Sequence, residues 1–171
     1  MYRELLAELS KRYGWVRPQP PCPEAEIAAA EKALGCPFPP ELRALLRELN
    51  GDKWLLLSAS DIVKNTEQNR KAYLPLFEED FTMEEYRDRI ERFLFFAENG
   101  CGDLYGYRLS PEGVPDETTI FYWDHEEIGE PCCWKPVAKN ITEFLTRYFG
   151  STRWSDRFPH WLVACHRGIR H

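Results

Sequence analysis

Residues 93–126 read FLFFAENGCGDLYGYRLSPEGVPDETTIFYWDHE, and this stretch decides the fold. Phe93 to Ala97, Asp103 to Leu109 and Thr118 to Trp123 are rich in aromatic and β-branched residues and are bounded by turn formers, the pattern of short strands. Asn99-Gly100 and Gly102 supply positive φ where the first pair reverses, and Ser110-Pro111-Glu112-Gly113 turns the next. Gly106, inside a strand, predicts a bulge or a close backbone approach. Trp134 to Ala138 adds a fourth short strand. Strands that follow one another through turns rather than crossover helices form an antiparallel sheet, which disfavours a doubly wound parallel fold.

Helical periodicity holds on both sides of this block. Leu5, Leu6, Leu9 and Tyr13 recur at helical spacing before a stop at Gly14. Pro23 opens PEAEIAAAEKALG, whose buried stripe is Ile27, Ala30 and Leu34 and whose stop is Gly35. Prolines open a third helix with Leu42, Leu45, Leu46 and Leu49 inward, closed by Asn50-Gly51. Lys53 to Leu57 reads as a short strand. Ser60 is the expected cap of a polar helix over 61–73, ended by Pro75. Thr82 and Glu85 form a capping box for a helix to about Ile90, and Asn140 with Glu143 starts a last helix whose inner face is Ile141, Phe144, Leu145 and Tyr148. The expected architecture is α+β: an antiparallel sheet with one face covered by N-terminal and C-terminal helices. Residues 1–150 make one domain. The segment 151–171, with Trp154, Phe158, Trp161 and Leu162 beside arginines, is too aromatic for a solvated linker and packs either on that domain or on a partner.

At 171 residues the chain suits a single core, and 43% hydrophobic residues supply enough apolar surface to offset the lost chain entropy. A formal charge of −6 argues against a nucleic-acid backbone binder and favours a basic partner. No run of about 18 apolar residues spans a membrane, and the charged N-terminus is unlike a signal peptide, so the expected compartment is the cytoplasm. The six cysteines have no C-x-x-C spacing and read as buried or incidental thiols.

The best catalytic candidates are Asp124, His125 and Glu126, with Asp103 on the neighbouring strand. Strand alternation puts Asp124 and Glu126 on one face and His125 on the other, so they are not expected to converge on a metal or a proton. His125-x-Glu127 followed by Cys132-Cys133 lacks the P-C-x-x-C of a zinc deaminase. No G-x-S-x-G elbow surrounds a serine, and Gly100-Cys101-Gly102 has no following Lys to make a phosphate loop. The expectation is a non-enzyme without cofactor or metal.

The order of these elements resembles the SUKH superfamily, named for the Smi/Knr cell-wall regulators of fungi and related bacterial immunity proteins. EAEIAAAEKALGCPFPPELRALLRELNG, LSASDIVKNTEQNR, FFAENGCGDLYGYRL leading to IFYWDHE, and VAKNITEFLTRYF carry the resemblance over residues 24–149. The polar and acidic segment 65–92 and the segment after Gly150 depart from the pattern. The resemblance implies a small, cytoplasmic, non-enzymatic immunity or antitoxin-like protein that silences a cognate toxin, often a nuclease or deaminase, by stoichiometric binding. The alternative it implies is a regulatory scaffold of the fungal type.

A binding role calls for an aromatic patch with a charged rim. The expected surface is an open sheet face bearing Asp103, Tyr105, Tyr107, Asp124 and Glu126, with Glu79 and Asp80 as an acidic rim. Its expected partner is the basic domain of a toxin.

Overall fold

The computed structural model describes residues 1–12, 16–80, 82–115, 118–128 and 133–150, with backbone alone for 12 and 76–80. Four strands, β1 (Phe93–Glu98), β2 (Leu104–Arg108), β3 (Ile120–Trp123) and β4 (Trp134–Ala138), pair antiparallel in chain order. Neighbours in the sheet are neighbours in sequence, as strands joined without crossover helices pair. Around the sheet lie α1 (Tyr2–Leu9), α2 (Glu24–Leu34), α3 (Pro40–Glu48), α4 (Ala59–Asp80), α5 (Met83–Tyr86) and α6 (Ile141–Gly150). The class is α+β, as expected. The stop expected at Gly14 and the segment 151–171 lie outside the described residues.

Gly106 meets both expectations for it. The β1–β2 register slips between Phe95 and Ala97, and Gly106 pairs with Phe95 at that slip. A Cβ on Gly106 would stand 2.4 Å from the Leu94 carbonyl oxygen, so only glycine lets the strands close there. The extra residue, Phe96, joins Leu94 and Ala97 in the main core, while Phe93 and Phe95 point to the other face.

Both faces of the sheet are covered, which corrects the expectation of one. On the first, Leu94, Phe96, Tyr105, Tyr107, Ile120, Tyr122 and Val137 pack with Leu6, Ile27, Leu42, Leu45 and Phe144 from the surrounding helices. On the second, Phe93, Phe95, Leu104 and Trp123 pack with Tyr86 and Ile90, flanked by Tyr73, Leu74 and Trp134. Alternating aromatics on both sides make two apolar faces, and burying each large ring contributes roughly 1.5–3 kcal/mol. The Trp123 indole N–H donates to the Arg89 carbonyl at 2.9 Å, which satisfies its polar edge inside that layer.

The helix ends follow from local chemistry. Gly35 takes φ 67 as the left-handed cap of α2, and Pro40 opens α3. Thr82 and Glu85 exchange both bonds of a capping box. From α5 the chain passes into a π-helical stretch, Arg87–Glu91. Asn140 Oδ1 accepts the Glu143 amide at 2.8 Å, while Glu143 accepts the Lys139 amide at 2.7 Å.

Three local expectations are corrected. Lys53–Leu57 is not a strand but a turn with one antiparallel bridge, Leu56 to Ala97. The cause is Asp52, whose Oδ1 accepts the amides of Trp54, Leu55 and Leu56 at 2.9, 2.8 and 2.9 Å and coils the backbone about itself. Ser58, not Ser60, caps α4: its hydroxyl accepts the Asp61 amide at 3.1 Å. Pro75 does not end α4, which runs on to Asp80 through the missing hydrogen bond.

Candidate functional site

Tyr105 and Tyr107 are both 0% exposed. They belong to the helix-covered face, so they offer no contact surface in this conformation, and the expected open aromatic patch is corrected accordingly. Tyr105 packs tilted against Phe144 with ring centroids 4.9 Å apart, and the Tyr107 hydroxyl donates to Glu41 Oε1 at 2.9 Å. Burial, then the nearby Glu41 carboxylate, pushes the Tyr107 phenol well above its usual range. Glu79 and Asp80 close α4, and their side chains lie outside the description. The neighbouring acidic residues are paired: Glu84 with Arg87 and Arg92, Glu85 with Arg89, and Asp88 with Arg108. This part of the acidic rim is therefore largely neutralised.

Asp103 and Asp124 are buried as well, at 6% and 1% exposure, and they converge. Because β3 ends at Trp123, alternation does not govern the next residues: Asp124 and His125 turn back toward the Asn99–Asp103 hairpin. This corrects the expectation that His125 and Asp124 diverge. His125 Nδ1 lies 2.9 Å from Asp103 Oδ1, Asn99 Nδ2 donates to Asp103 Oδ2 at 2.7 Å, and the Glu126 amide donates to Asp124 Oδ1 at 3.0 Å. The Tyr122 hydroxyl lies 3.5 Å from Asp124 Oδ2. Burial, followed by the charge of Asp103 and then that of Asp124, holds this phenol far above its ordinary range. The His125 ring occupies the space a side chain on Gly102 would need, with Cε1 2.9 Å from the would-be Cβ. Glu126 itself is exposed and outside the cluster.

The thiols have structural settings. Cys22, Cys36 and Cys133 are buried, and Cys101 is exposed at the hairpin turn. Burial, then the Glu26 charge, pushes the Cys22 thiol up to about 11.

A groove of about 750 Å³ lies where the proline-rich segment, the Asn50–Ser58 turn, the start of α4 and the end of β1 meet. Its size is that of a ligand or peptide site. Trp54, 46% exposed, stands on its rim with Pro20 and Pro21. The walls are tied by backbone bonds: Gln19 N to Gly51 O at 2.9 Å, Asn50 N to Pro20 O at 2.9 Å and Arg17 N to Asp52 O at 3.1 Å. Gly51, at φ 81, has no room for a Cβ against Leu56 O and Ser58 N, both 2.8 Å away. Glu26, Asp61 and Glu98 line the groove with Lys53 and Lys64. Burial, then the charge of Asp61, raises the Glu98 carboxyl, and Asn65 donates to it at 3.2 Å. The groove was not foreseen, since it joins segments distant in sequence and the turn residues that build it resemble ordinary punctuation.

The fold that carries these two features is a small α+β domain. The model of the SMI1 / KNR4 family (SUKH-1) matches residues 21–147, and the chain belongs to that family. A comparison with curated proteins finds no match. The Asp103–His125 cluster and nearly all of the groove fall inside the matched span. Among the described residues, no helix is long and apolar enough to cross a membrane.

Proposed function

We propose that the protein acts in the cytoplasm by stoichiometric, non-catalytic binding, as an immunity protein that neutralises a toxin domain with a basic surface, and that the Trp54 groove engages that partner. Family membership supports the class of role. The observation that carries the choice of surface is the Asp61–Glu98 pair beside an exposed indole. A partner Lys or Arg placed between those carboxylates relieves their repulsion, and Trp54 supplies the aromatic anchor typical of a binding hot spot. The net charge of −6 extends the same preference over longer range and speeds encounter with a basic surface.

The test is co-expression with the product of the neighbouring gene as the candidate toxin. Wild-type protein restores growth, and Trp54→Ala with Asp61→Lys abolishes protection while keeping a native circular-dichroism spectrum. A folded wild-type protein that gives no protection overturns this reading.

A further inference from the structure

The cluster at the end of β3 gathers two buried carboxylates and an imidazole that the binding role does not use. Asp103 and Asp124 carry two carboxylates into the interior, and the His125 imidazole stands beside Asp103. Desolvating two adjacent carboxylates costs several kcal/mol per ion unless they are paired, hydrogen-bonded or bound to a metal.

We infer that Asp103, Asp124 and His125 form a binding site for one divalent transition-metal ion of the zinc class. One ligand atom from each residue lies within 4.8 Å of the other two. Ligand bonds of about 2.0–2.2 Å put two donors on one ion roughly 3–3.5 Å apart. His125 Nδ1 and Asp103 Oδ1 already stand at 2.9 Å, so an ion enters by replacing the proton between them, and a small rotation of Asp124 closes the third bond. Imidazole nitrogen beside carboxylate oxygens favours zinc over magnesium or calcium, which prefer oxygen alone. Asn99, bonded to Asp103 Oδ2, holds that ligand from behind, as outer partners of metal ligands do. The His125 ring is 33% exposed, which leaves a path for the ion and an open coordination position toward solvent. The bound ion joins the β1–β2 hairpin to the loop after β3.

The test uses the full chain, stripped by chelator and titrated with ZnCl₂ by calorimetry, with metal content measured after dialysis. One saturable high-affinity ion per chain is expected, with no comparable uptake of Mg²⁺ or Ca²⁺. Affinity falls roughly tenfold or more in His125→Gln and in Asp124→Asn. The latter keeps the side-chain shape and its acceptor for the Glu126 amide, so the pair of variants separates ligation from folding. Co²⁺ in place of zinc shows d–d absorption without a thiolate-to-metal band, because cysteines elsewhere in the chain take no part. Absence of saturable binding, wild-type affinity in both variants, or a thiolate band overturns the assignment.

Discussion

Replacing Gly106 with alanine drives a methyl group into the neighbouring strand. The new Cβ meets Leu94 O at 2.4 Å, Leu94 C at 3.0 Å and Phe95 Cα at 3.1 Å, all backbone atoms that cannot swing aside. Ordinary carbon–oxygen contacts begin near 3.3 Å, so β1 and β2 must part by about 1 Å. That separation stretches adjacent ladder bonds past any useful length, at a net cost of roughly 1 kcal/mol each for about two bonds. Strain in the packed aromatic layers on both faces adds roughly 1–3 kcal/mol. The sum, about 3–5 kcal/mol, lowers Tm by on the order of 10 °C for a chain of this size. Thermal unfolding followed by near-ultraviolet circular dichroism measures it, with Gly150→Ala as the control, since among the described residues nothing lies within 4 Å of a Cβ there. A Gly106→Ala protein melting with wild type would refute the reasoning that the bulge closes on glycine.

Asp52→Ala strands three amides that share one carboxylate oxygen, and urea unfolding is expected to show a loss of roughly 3–5 kcal/mol. Asp52→Asn keeps the acceptor and removes a buried charge, so its loss is clearly smaller. Burial raises the Glu41 carboxyl above its usual range despite bonds from Ile141 and Tyr107. The folded state then holds that proton more tightly than the unfolded chain, so stability from Glu41 is present at low pH and is lost as pH rises through its raised pKa. The stability of wild type relative to Glu41→Gln therefore increases on acidification through that range, a trend that paired melts at stepped pH will show. Native-state alkylation read by peptide mass spectrometry modifies Cys101 well before Cys22, Cys36 and Cys133.

The elements that rest on local rules were legible in the chain: strand alternation in 93–123, the Thr82–Glu85 box, Gly35 as a stop and Gly106 as a close approach. What escaped depends on contacts between distant segments. Alternation shows that Tyr105 and Tyr107 share a face but not that helices cover it, and their apparent candidacy as surface residues vanished with that packing. Asp52 reads as part of an Asn-Gly-Asp turn, and nothing near it announces that its side chain coils the next residues and forms a groove wall. Pro75 follows Leu74 on a helix that gains enough from covering the second sheet face to continue through the missing bond. The Asp103–Asp124–His125 trio was concealed by extending strand alternation through Glu126, since β3 stops at Trp123.

Binding through the Trp54 groove is tested most directly by calorimetric titration of the purified product of the neighbouring gene, as the candidate toxin, into wild-type protein and into Asp61→Lys/Glu98→Lys. The account predicts a one-to-one complex with wild type, an affinity loss on the order of 100-fold in the charge-reversed protein, and little change for Glu126→Lys outside the groove. Equal affinities for wild type and the groove variant, or a loss produced by Glu126→Lys instead, would contradict it.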